Sequence, residues 1–120
     1  MKHLCIFSHD RIFSLLVSGL LRSQYSLTIA HDQASLSAWL DHEEPGLLVC
    51  DTAIFDASAL DALRTHRSTH HGMPRVLLFV SLTELKSLDS GSLLDVDNVL
   101  IKPTRSEEIV RSVIEMIAKP

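Results

Sequence analysis

Short apolar runs alternate with amphipathic stretches five times along the chain. Leu4 to Phe7 is a compact apolar run, which predicts a first strand. Phe13, Leu16, Val17, Leu20 and Leu21 then recur at helical spacing and predict a helix with those residues inward. Tyr25 to Ala30 is β-rich and predicts the second strand. Leu36, Trp39 and Leu40 mark a second helix that stops before Pro45-Gly46. Leu47-Leu48-Val49-Cys50 predicts a buried third strand that leads straight into Asp51. Ala57 to Arg67 predicts the third helix, with Leu60 and Leu63 facing inward. His71-Gly72-Met73-Pro74 breaks the chain before Val76 to Val80, the fourth strand, which leads into Ser81. Leu82 to Leu94 is a weaker, serine-rich helix interrupted by Gly91. Val99-Leu100-Ile101 is the fifth strand and runs into Lys102-Pro103. Thr104 and Glu107 have the spacing of a capping box, and Ile109, Val110, Val113, Ile114 and Ile117 give the last helix a buried stripe.

Strict alternation of β and α elements implies a parallel sheet covered by helices on both faces. Right-handed crossovers then leave few topologies. The 120 residues suffice for one domain and are too few for two, so residues 1–120 are expected to form a single three-layer domain. No internal repeat, long linker or low-complexity segment interrupts it.

Composition narrows the function. Apolar residues make up 46% and charged residues 22%, ordinary proportions for a soluble globular protein. A net charge of −4 argues against direct nucleic-acid binding, because phosphate contacts need a basic face. No apolar stretch reaches bilayer length, and no secretory leader pattern is present, so no membrane partner is expected. Cys5 and Cys50 lie inside predicted strands and suit small buried thiols in a reducing, cytoplasmic setting.

The candidate chemistry lies at the strand ends. Open α/β sheets bind ligands beyond the carboxyl ends of their strands. Asp51, Ser81 and Lys102 put an acid, a hydroxyl and an amine at three such ends. Together they suit holding a phosphoryl group on a carboxylate. Alone, Asp51 is a weak signal, Ser81 reads equally as a helix N-cap, and Lys102 suits a surface stem.

The segments LLVCD ending at Asp51, RVLLFVS ending at Ser81 and NVLIKP containing Lys102-Pro103 resemble the receiver domain of bacterial response regulators, the CheY-like family. The resemblance covers essentially the whole chain. It implies a flavodoxin-like five-stranded sheet in order 2-1-3-4-5. It also implies a non-enzymatic signalling role. Asp51 would accept a phosphoryl group from a histidine kinase or phosphotransfer protein. Ser81 would hydrogen-bond the phosphoryl oxygens, and Lys102 would neutralise charge. Positioning and charge neutralisation are what phosphoryl transfer demands. The cis-prone Lys102-Pro103 bond would help to aim the lysine.

Departures from that pattern carry as much information. The family places two acids after the first strand to hold Mg²⁺. The register set by Phe13, Leu16 and Val17 puts Ser8 and His9 there, with Asp10 one place later. Mg²⁺ wants hard oxygen ligands, and imidazole replaces them poorly. The expected metal set is Asp51 with at best Asp10, so Mg²⁺ binding should be weak or absent. Thr52-Ala53-Ile54-Phe55 replaces the usual Met-Pro turn, Ala59 stands in a common glycine position, and Val99 takes the place of the aromatic switch residue. The acceptor trio thus survives while the metal pair and aromatic relay do not, which is the profile of an atypical or pseudo-receiver.

Two readings follow from this profile. One is a phosphorylatable receiver. The other is an interaction or dimerisation module that acts without phosphorylation, with a homodimer face on helix four, strand five and helix five that includes Leu93, Leu94 and Val99. A small-molecule enzyme on the same fold ranks far behind, since no P-loop, G-x-G-x-x-G or G-x-S-x-G motif occurs. A protonated His9 beside Asp51 would mimic the missing cation, although a solvated loop histidine is the simpler expectation. His66, His70 and His71 include an i, i+4 pair, but no acid or cysteine completes a metal set. Trp39 reads as core.

Overall fold

A computed structural model describes residues 3–41, 45–51, 57–70, 73–87 and 96–118. Its strands are β1 (His3–Phe7), β2 (Ser26–Ala30), β3 (Pro45–Asp51), β4 (Arg75–Val80) and β5 (Asn98–Ile101). Its helices are α1 (Arg11–Leu21), α2 (Gln33–Leu40), α3 (Ala57–Thr69), α4 (Leu82–Ser87) and α5 (Ser106–Ala118). The five strands form one sheet in the order β2-β1-β3-β4-β5, and every neighbouring pair is parallel. The parallel sheet is what the alternation implies, and its order is the flavodoxin-like winding that the resemblance implies.

The period of two along each strand sorts the core into two layers. Cys5, Phe7, Leu48, Cys50, Leu78 and Val80 face α2 and α3, where Leu36, Trp39, Leu40, Ala59 and Leu63 cover them. Leu4, Ile6, Leu47, Val49, Leu77, Phe79 and Leu100 face the other way, against Val17, Leu21, Ile109, Val113 and Met116 of α1 and α5. β3 is buried along its whole length, as expected of a central parallel strand with helices on both faces. Cys5 and Cys50 are free and buried, and burial pushes the Cys5 thiol up to about 12. Both act as small core residues at neutral pH.

Several local expectations need correcting. Leu16 is 54% exposed, and the inner face of α1 carries Ser14 and Ser18 beside Val17 and Leu21. The two serines let the helix lie close to the sheet. On α5 the buried line runs through Ile109, Ser112, Val113 and Met116, and Ile114 turns outward. On α3, Ala59 and Leu63 are the buried pair, with Leu60 only half-buried. Apolarity marks the inward arc of a helix but does not centre it.

The capping box is also displaced. Thr104 Oγ1 donates back to the Ile101 carbonyl, and α5 begins at Ser106 with its first turn closed on the Arg105 carbonyl. A reciprocal box sits instead at the start of α4. Ser81 N–H donates to Glu84 Oε1 at 2.8 Å, and Glu84 N–H donates to Ser81 Oγ at 3.1 Å. The segment containing Gly91, Leu93 and Leu94, the turn Thr52–Phe55, and His71 lie outside the described residues.

Asp97 closes the approach to β5. Its Oδ2 accepts from the Val76 backbone N–H at 2.7 Å and from Arg67 at 2.6 Å. Arg67 also donates to the Pro74 carbonyl, so one guanidinium ties the end of α3 to the entry of both β4 and β5. That ties the far edge of the sheet to its centre and so fixes where the β5 tip projects.

Candidate functional site

β3 delivers Asp51 as its last residue, 4% exposed. The same side of the sheet that carries Leu47 and Val49 carries Asp51, so the carboxylate lies on the α1 and α5 side. β5 ends at Ile101, paired with Val80, and the Lys102 backbone N–H donates to the Val80 carbonyl at 2.7 Å. That bond carries the ladder one step past the strand and points the lysine stem back over β4. Lys102 Nζ donates to Asp51 Oδ1 at 2.8 Å, with the Lys102 side chain 31% exposed. The Lys102–Pro103 peptide is cis.

Two aromatic rings frame the ammonium group. Phe13 of α1 meets Phe79 of β4 edge to face, with centroids 5.0 Å apart. Lys102 Nζ lies 5.4 Å from the Phe13 ring centroid, within reach of a cation–π attraction. Phe79 pairs in register with Asp51 on one side and Leu100 on the other, so it forms the floor between acid and amine. Phe13 is visible in sequence as an inward helical position. Its role as a platform for Lys102 is not, because it depends on how α1 lies across the sheet.

The second carboxylate oxygen has its own partner. Ser8 directly follows β1 and is fully buried, and its Oγ donates to Asp51 Oδ2 at 3.3 Å. The same oxygen accepts the Asp10 backbone N–H at 3.0 Å. Ser8 has the strand parity of Leu4 and Ile6, which face the same layer as Leu47 and Val49. That parity is the sequence signal that brings Ser8 to Asp51. A pair of anionic oxygens thus meets an ammonium group on one side and a hydroxyl on the other.

The remaining candidates fall into place around this pair. Ser81 follows Val80, two residues beyond the position paired with Asp51, and its hydroxyl accepts from Glu84 N–H. As an acceptor there, it retains its own O–H to donate. Asp10 is the N-cap of α1, and its Oδ1 accepts the Phe13 N–H at 3.1 Å. The described link from Asp10 to Asp51 therefore runs through Ser8 Oγ, and the Asp10 carboxylate serves the helix end. His9 is exposed. Among the described residues no three His, Cys, Asp or Glu side chains are grouped to hold a metal, so this donor set lacks the clustered acids that Mg²⁺ coordination asks for.

The histidines of α3 form a stack. The rings of His66 and His70 are parallel at 3.8 Å, and His70 Nδ1 lies 2.9 Å from the His66 carbonyl, which assigns that nitrogen the proton. Burial, and then His70, lower the affinity of His66 for a proton. Trp39 is 3% exposed and belongs to the core beneath α2.

Comparison with known proteins agrees with the fold. No protein-family model matches the chain. The probable transcriptional regulatory protein TcrX of Mycobacterium tuberculosis is 29% identical over 106 residues, which is 88% of this chain and 45% of that protein. The chain therefore spans about half the length of the curated relative it matches. Among solved structures, the N-terminal signal receiver domain of a two-component response regulator from Bacteroides fragilis superposes with a TM-score of 0.83 at 16% identity, covering 100% of this chain and 99% of the other. The chemotaxis response regulator CheY4 of Vibrio cholerae gives 0.77 at 14% identity, covering 97% and 98%. The chain shares the receiver-domain fold, and no helix among its described residues is long and apolar enough to cross a membrane.

Proposed function

We propose that the chain is a receiver module of a two-component signalling pathway, with Asp51 as its phosphoacceptor. The carrying observation is the Lys102–Asp51 contact of 2.8 Å at the carboxyl edge of the sheet. A buried acid at the tip of a central strand, paired with the amine of Lys102 beyond β5, is placed for one carboxylate oxygen to bond to the phosphorus of a phosphohistidine as the P–N bond breaks and the imidazole leaves, while the ammonium offsets the charge of the transferred oxygens. The hydroxyl of Ser81 supplies a donor to the transferred group. Likeness to receiver domains in fold, and to a regulatory protein in sequence, supports the same reading. The phosphodonor is a histidine kinase or phosphotransfer protein, the module is not itself an enzyme, and it works in the cytoplasm.

The metal requirement departs from an ordinary receiver. Ser8 occupies the position beside Asp51 where an acid would bind a cation, and Asp10 is engaged at the start of α1. Mg²⁺ binding is accordingly weak, with Asp51 and Asp10 as the available carboxylates. Lys102 and Ser8 together offset part of the charge that a metal would otherwise neutralise.

The Ser8–Asp51 hydrogen bond favours a second reading, a module that signals by binding alone. With both carboxylate oxygens engaged, Asp51 is held as a structural anion. A homodimer through α4, β5 and α5 would then carry the output. Ile101 at the end of β5 is 44% exposed and suits that face.

Incubation with acetyl phosphate, with and without Mg²⁺, followed by intact mass measurement, separates the readings. A single phosphoryl adduct that disappears in Asp51→Asn supports the phosphoacceptor. Absence of an adduct under every metal condition, in folded protein, refutes it and leaves the binding module.

A further inference from the structure

We propose that the cleft between the start of α1 and strand β2 is a second ligand site, built for a small organic anion with an apolar body. The cleft holds about 420 Å³ and is lined by His9, Arg11, Ser14, Leu15, Ile29 and His31. It lies on the β2 side of the β1–α1 connection, while Lys102 and Ser81 approach Asp51 from the β4 and β5 side.

Ser14 is the decisive residue. It is 1% exposed, it lines the cleft, and its hydroxyl has no hydrogen-bond partner among the described residues. Its backbone N–H is already satisfied by the Asp10 carbonyl, so the orphan group is the side chain alone. Buried hydroxyls are normally paired, and a lone one marks a place where a partner arrives. A serine on the inner face of a helix usually bonds back to the carbonyl one turn earlier; this one does not.

Arg11 adds a charged donor to the same lining, and His31 adds an imidazole ring held in place. Arg11 opens α1 with five N–H donors in a fixed fork, at the helix end where backbone dipoles favour negative charge. His31 Nδ1 lies 3.1 Å from the Ser8 carbonyl, which can only accept, so that nitrogen carries the proton and the ring orientation is fixed. No acidic side chain among the described residues lines the cleft. Asp10 accepts from Phe13 N–H, and Asp32, which lies within electrostatic reach of His31 and His9, accepts from Ser35 N–H at 2.8 Å. A ligand that offers acceptors and negative charge meets the Arg11 guanidinium and the Ser14 hydroxyl, both carried by α1. Leu15 and Ile29 form the apolar walls, so the ligand class is a phosphate or carboxylate attached to a hydrocarbon or aromatic body.

Phenyl phosphate is a suitable probe, with inorganic phosphate as the comparison. Titration of the ¹⁵N-labelled Asp51→Asn chain should give saturable shifts at Arg11, Ser14, Leu15 and Ile29. Arg11→Gln should weaken binding about tenfold, the scale of one charge-assisted hydrogen bond. Ser14→Ala should weaken it several-fold without lowering the thermal midpoint, since no internal bond is lost. Tighter binding of phenyl phosphate than of inorganic phosphate supports the apolar body. Absent or non-saturable shifts, shifts confined to the surroundings of Lys102 and Ser81, or equal binding by Arg11→Gln would overturn the proposal.

Discussion

Lys102 and Asp51 are 51 residues apart in sequence and 2.8 Å apart in space, with the carboxylate almost wholly buried and the amine partly so. The acid is only 4% exposed, so the lysine takes over much of the role of solvent. Removing it should leave a buried charge without its ammonium partner. Lys102→Met is expected to cost about 2 kcal/mol of stability, below the usual figure for a buried pair because Lys102 is partly exposed. Asp51→Asn should cost less, and the double variant less than the sum. Urea denaturation of the four proteins measures the coupling. A coupling energy near zero would mean that the contact does not form in solution.

Ser8 offers the reverse experiment. It is fully buried, and its hydroxyl lies 3.3 Å from Asp51 Oδ2. Ser8→Asp places a second carboxylate where that hydroxyl now donates. Like charges at hydrogen-bond distance repel unless a cation joins them. The variant should be less stable in chelator by about 1 to 3 kcal/mol and should recover stability as Mg²⁺ is added. Isothermal titration should show saturable Mg²⁺ binding in the variant and much weaker binding in the parent chain. Equal Mg²⁺ affinity in the two proteins would remove Ser8 from any account of Mg²⁺ binding.

The histidine stack on α3 should make stability pH-dependent. Burial and the neighbouring His70 hold His66 below the ordinary imidazole value, while Asp41, which caps the end of α2, opposes them. The unfolded chain therefore takes up a proton before the folded chain does. Stability is full above the ordinary value of about 6.5 and is lost as pH falls below it towards the folded value. The thermal midpoint should drop between pH 7.5 and 5.5, and His66→Gln should flatten part of that slope. An unchanged slope in the variant would assign the pH dependence to other groups.

Much of the architecture was legible because periodicity is a local property. Apolar runs of strand length, separated by helical stripes, fix the alternation, and alternation with right-handed crossovers leaves few ways to wind the sheet. The placement of Asp51, Ser81 and Lys102 at strand ends follows from the same pattern. The errors are also instructive. Leu16 and Ile114 are apolar and exposed, while Ser14, Ser18 and Ser112 are polar and buried. Helix orientation about its own axis is set by close approach to the sheet, where small side chains fit and large ones do not. The S-x-x-E spacing of Ser81 and Glu84 was present in the sequence beside that of Thr104 and Glu107, and only the first became a capping box. Which of the two closes depends on where each strand releases the chain.

The alternation of strands and helices, the buried thiols and the presence of an acid, a hydroxyl and an amine at strand tips are determined by sequence alone, since each follows from short-range pattern and parity. Three features were decided only in three dimensions: the bond from Ser8 to Asp51, the Phe13 ring beside Lys102, and the unpaired hydroxyl of Ser14 in its cleft. Each depends on distances between elements far apart in the chain, and such distances are fixed by how helices settle on a twisted sheet rather than by any residue's neighbours in sequence.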